Sequence, residues 1–67
     1  MKPGDRVSWN TPQGRTRGKV VERKTADFTL AGQQFRASED EPMFVVESEK
    51  SGSKAAHKAS ALNVLKS

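Results

Sequence analysis

Apolar and polar positions alternate over short spans, and Gly/Pro-rich segments separate those spans. In RVSWN, Val7 and Trp9 alternate with Arg6, Ser8 and Asn10, the period-2 pattern of a half-buried strand. A Pro3-Gly4-Asp5 turn signal precedes it. TPQG at 11–14 follows as a second turn, with Pro12 setting φ and Gly14 accepting a positive one. RTRGKVVERK continues as a strand, but Val20 and Val21 are adjacent, so alternation fails mid-strand. Gly18 just before them predicts a bulge or sharp bend. Phe28 and Leu30 share a face about Thr29, Ala31-Gly32 makes a turn, and QQFRA is a further short strand. The charged loop SEDEP is closed by Pro42. MFVVESE at 43–49 is the most apolar and β-branched run and is expected to form the central strand.

The C-terminal segment supports two readings. Ala55, Ala59, Leu62 and Leu65 approximate a helical stripe. The alternative is a loop, a helical turn near Ala59–Ala61, and a short closing strand over 62–65. The stripe is mostly methyl groups and would bury little, so the second reading is preferred.

About five short strands in 67 residues, joined by Gly/Pro turns, predict a mainly β fold: a small, strongly bent barrel with one helical turn near the C-terminus. Its expected core is Val7, Trp9, Val20, Phe28, Leu30, Phe44, Val46 and Leu62.

The motifs GDRVSW, GKV, ASEDEPMFVVESEKSG and AAHKASAL together resemble the family of hypervirulence-associated Tudor-like proteins, over about residues 3–65. Ala37-Ser38 through Pro42, followed by Phe44, matches the family's Ala-Ser-x-x-x-Pro segment and its aromatic. Ser51-Gly52 and the pair His57-Lys58 match its later turn and His-Lys step. The resemblance implies a single SH3/Tudor-like domain over 1–67. It implies no particular activity, since fold does not fix function.

Composition narrows the chemistry. There is no cysteine and one histidine, so neither a disulfide framework nor a His/Cys metal cluster is expected. No paired acid and base, nucleophile–base pair or cofactor motif occurs, so the expectation is a non-catalytic protein with no cofactor. The chain has no apolar run long enough to span a membrane and no signal-peptide pattern, which leads to a cytoplasmic expectation.

Charge is distributed in blocks. Residues 1–24 carry seven Lys/Arg and two acids; residues 25–49 carry one Arg and six acids; residues 50–67 carry four Lys and no acid. Arg15, Arg17 and Lys19 recur at every second position, and Arg23 extends the series, so a strand would present a basic row able to contact phosphates. The same row also suits a solvated strand that resists edge pairing. The four aromatics, Trp9, Phe28, Phe35 and Phe44, lie in apolar strand patterns and are expected in the core rather than in a methyl-cation cage. The acidic run Glu39–Glu41 reads as a solvated loop, with Ser38 resembling a cap cut short by Pro42. The expected role is an interaction module for a protein or peptide. The alternative is sequence-independent nucleic-acid binding through the basic strand face.

Overall fold

A computed structural model describes residues 1–65. The strands are β1 (Arg6–Thr11), β2 (Gly14–Lys24), β3 (Phe28–Leu30), β4 (Gln33–Phe35), β5 (Met43–Ser48), β6 (Lys54–Lys58) and β7 (Asn63–Val64), with a 3-10 turn at Ala59–Ala61. The fold is mainly β. Five strands form one sheet in the order β6-β5-β2-β1-β7, and β3 and β4 pair only with each other.

The sheet is open, which corrects the expected barrel closure: β6 and β7 end its order and do not pair with one another. Two segments account for this. Strands β3 and β4 spend their ladder bonds on each other, and β7 is only two residues long. The sheet is nevertheless curled. In a flat five-stranded sheet the two edges stand about 19 Å apart. Here the chain passes from Lys58 on one edge to Asn63 on the other through the 3-10 turn, a path of about 13 Å at 3-10 and strand rises. The edges must bend towards each other at that end, and Leu62 is buried beside the turn.

The turn and closing strand fall where the preferred reading of the tail placed them. The loop expected before them is instead strand β6. Its Ala55 opposes Val46 and its His57 opposes Phe44, so small residues fill the edge of the core where a helical stripe would have buried little.

The core cluster is Val7, Trp9, Val20, Phe44, Val46 and Leu62, all within the expected set. Phe28 and Leu30 are the corrections: both are only half-buried. They sit on the small hairpin, where Phe28 stacks on Phe35 with centroids 5.3 Å apart and the Lys24 ammonium lies 5.7 Å from the Phe28 ring. Two of the four aromatics therefore serve a local pair outside the main core. The opposite face of the sheet also buries side chains, Ser8, Met43 and Val45.

His57 packs its ring 5.5 Å from that of Trp9, and its Nε2 is buried with no hydrogen-bond partner. Burial holds its pKa below the usual histidine value. The unfolded chain therefore binds the proton more readily, so stability is fully present above about pH 6.5 and is lost as pH falls through the lower folded pKa. The melting temperature of the native chain should fall between about pH 7 and pH 5, above the carboxylate range, and a His57→Phe variant should show a flatter profile. Thermal melts across that window check this; equal slopes in the two proteins would count against it.

Candidate functional site: a basic groove between two turns

Strand pairing decides where the basic row lies. Arg15, Arg17 and Lys19 oppose Asn10, Ser8 and Arg6 on β1. Thr16 and Val20 share the other parity with Trp9 and Val7, which is the core side. The three cations are thus exposed on one face, as their spacing predicts.

Arg23 does not belong to that row. Register between β2 and β5 slips between Val20 and Glu22: Val20 opposes Val46, yet Glu22 opposes Val45. Val21 is the extra residue, and parity reverses beyond it. Arg23 consequently opposes Phe44, a core residue, and is exposed on the other side of the sheet from Arg15, Arg17 and Lys19. The expected break in alternation is real and lies at Val21, not at Gly18.

Acids interrupt the face at the Lys19 end. Lys19 opposes Glu47 on β5, and Glu47 in turn opposes Lys54 on β6. Arg6, next to Lys19 on β1, grips Glu49 with its guanidinium at 2.9–3.2 Å through Nε and Nη2. Charges of both signs therefore interleave across this rung, and the charge of Glu49 is compensated. Among the described residues neither Arg15 nor Arg17 makes an ion pair.

These two arginines lie where two turns meet. The start of β2 runs beside the end of β5, so the turn before β2 and the turn after β5 become neighbours. The first is Pro12-Gln13, held by Thr11: its Oγ1 donates to the Gly14 carbonyl at 2.8 Å and accepts from the Gln13 amide at 3.2 Å. The second spans 48–53. The Ser48 amide donates to the Ser53 carbonyl and the Gly52 amide to the Ser48 carbonyl, both at 2.8 Å. The Ser48 hydroxyl accepts from the Lys50 amide at 3.3 Å. Gly52, with φ of 71°, supplies the left-handed step that lets the chain reverse. The Glu49 amide donates to the Arg17 carbonyl at 3.0 Å and ties the second turn to β2.

Between the turns lies a cavity of about 730 Å³ that Arg15, Thr16, Arg17, Ser48, Lys50 and Ser51 help to line. A second cavity, of about 300 Å³, adjoins it, with Trp9, Pro12, Lys54 and Ala55 among its walls. Thr11, Gln13, Thr16, Ser48 and Ser51 line both, so the two form one groove. Among the described residues Trp9 is the only aromatic side chain lining it, too few for a methyl-cation cage.

The remaining candidates are placed as follows. The acidic loop 39–41 is exposed; Ser38 does cap a turn there, its Oγ accepting from the Glu41 amide at 3.1 Å, and no helix follows. His57 packs its ring at a tilt against Trp9 and is not among the groove-lining residues. Among the described residues no group of three potential ligands could hold a metal ion.

Sequence reasoning found Arg15 and Arg17, with lysines of the 50–67 block, but not Ser48 or Thr16 as their companions. The glycines at 14 and 52 mark both turns in the sequence. Their approach in space depends on β2 pairing with β5, and no local pattern reports that.

The chain is thus a small, curled β domain whose exposed groove joins two tight turns. The chain matches the family model of the hypervirulence associated proteins TUDOR domain over residues 4–62, and it belongs to that family. No curated protein and no solved structure matches the chain. The family supports a small interaction module, which agrees with the expectation from sequence.

Proposed function

We propose that this chain is a non-catalytic module, acting in the cytoplasm, that takes an extended polypeptide segment in the groove between the 11–14 and 48–53 turns. The observation that carries the reading is the groove itself: two internally hydrogen-bonded turns frame it, and Trp9 and Ala55 give it an apolar end. Its walls need little reordering on binding, which keeps the entropic cost of association low. The lining hydroxyls of Ser48 and Ser51 already accept backbone amides within the turn, which suits a structural part better than a nucleophile.

Nucleic-acid binding is the second reading, favoured by the shared face of Arg15, Arg17 and Lys19. Glu47, set between Lys19 and Lys54, weakens it, because phosphate tracking needs an uninterrupted basic stripe.

Panning a displayed random-peptide library on the immobilised domain, then mapping amide shifts with the selected peptides, tests the first reading. Shifts centred on Thr16, Ser48 and Ser51 are expected. No enrichment, or shifts confined to the β3–β4 hairpin, would refute it. Fluorescence anisotropy with short oligonucleotides at low salt tests the second: tight, sequence-independent binding that weakens steeply with salt would put nucleic acid first.

A further inference from the structure

We infer that the segment this groove selects is acidic, with a carboxylate-rich stretch lying on Arg15 and Arg17 and a small apolar side chain seated against Trp9. The inference rests on the groove reading above and adds the chemistry of the partner.

Among the described residues four cations line the two cavities, Arg15, Arg17, Lys50 and Lys54, against a single acid, Glu49. That acid is already engaged, because Arg6 holds its carboxylate with two guanidinium nitrogens. The wall therefore presents an uncompensated positive field to any occupant. The two arginines stand two residues apart on one strand, on the same face, with side chains exposed. Planar guanidinium forks at that spacing suit alternate carboxylates of an extended peptide, whose side chains repeat at the same interval.

The other end of the groove has a different character. Trp9, Pro12 and Ala55 are among the walls of the second cavity, of about 300 Å³, with Lys54 at its margin. An aliphatic side chain gains by leaving water against the indole, whereas a carboxylate there loses hydration that one lysine replaces only in part. The groove thus asks for charge at one end and a small hydrophobe at the other.

The charge pattern of the chain marks the site as distinct from a general basic surface. Arg23 carries the same charge on the same strand but lies on the opposite side of the sheet. It serves as an internal control.

The test uses three fluorescein-labelled octapeptides: one of alternating Glu and Asp with a terminal Val, its Gln/Asn counterpart, and its Lys counterpart. Anisotropy is read with the full chain in about 0.01 M and about 0.15 M salt, where the Debye length falls from about 30 to about 8 Å. The acidic peptide is expected to bind most tightly and to shift the Arg15, Arg17 and Ser51 amides. The double variant Arg15→Gln, Arg17→Gln should weaken it about tenfold, whereas Arg23→Gln should change affinity less than about twofold. Circular dichroism confirms that each variant is folded.

Equal binding of the acidic and amide peptides in the groove would overturn this inference and leave the groove reading standing. Failure of all three to shift groove amides would overturn both. An equal loss from Arg23→Gln, or shifts spread over the whole basic surface, would show a general charge effect and overturn the inference as well.

Discussion

Replacing Trp9 by alanine should cost about 3–5 kcal/mol and unfold most of the population at room temperature. Trp9 is 4% exposed and is the largest side chain of the core cluster. It touches three parts of the fold at once. Its indole lies over Gly18 of β2, packs at a tilt against the ring of His57 of β6, and forms the apolar end of the groove. A chain of this length buries a modest fraction of its surface, so no neighbouring layer can collapse into the space left behind. Urea unfolding monitored by circular dichroism measures the loss, and a folded variant with an unchanged midpoint would contradict the assignment. Trp9→Phe should recover part of the stability, since it restores a ring against His57 while leaving a void over Gly18.

Gly18→Ala should be nearly as damaging, for the opposite reason. A Cβ at this position would clash with the Glu47 carbonyl of β5 and stand 2.8 Å from Cη2 of Trp9. The indole can shift, but the Glu47 carbonyl is part of the β2–β5 ladder and cannot withdraw without breaking it. Overpacking of this kind costs about 1–3 kcal/mol, and a backbone clash in a central strand pair belongs at the upper end or beyond. The variant should lose stability by urea titration. Trp9→Phe should cost less in the Gly18→Ala background than in the native chain, because it removes the indole's share of the clash. Full recovery in the double variant would show that the clash with β5 is not the limiting one.

The two glycine-related readings show what the sequence could carry and what it could not. Period-2 alternation placed β1 and the first half of β2, and the dense apolar, β-branched run placed β5, which is buried on both faces. Adjacent valines announced a bulge, and the register slip at Val21 is there. Gly18 looked like the cause of that bend. Its purpose is instead close approach to Trp9 and Glu47, a contact between residues far apart in sequence that no local window reveals. β6 escaped notice because KAAHK has neither β-branched residues nor clear alternation; pairing with β5 imposes its strand form. Phe28 and Leu30 read as core because alternation reports which residues share a face, not which face a third element covers.

For the candidate site, the arginine row was legible and its extent was not. Arg23 fits the spacing by number alone, and only the bulge separates it from Arg15, Arg17 and Lys19. The groove was legible as two turns, but not as one place, since adjacency of β2 and β5 is a matter of topology. The open edges at β6 and β7 were hidden for the same reason. A count of strands does not say whether the last one meets the first.

The pairing of β1 with β7 joins Val7 to Val64 and Ser8 to Asn63. Contacts of such sequence separation form late, because most of the chain's freedom must be given up before they reward it. On a ribosome, the β1–β2 hairpin can form early, but its outer edge stays unpaired until residue 64 has left the exit tunnel. Throughout that interval Val7 and Trp9 lack the Leu62 cover they have in the finished molecule. The outer edge of β1 is thus covered later than its pairing with β2, and until then it offers unpaired backbone groups to another strand.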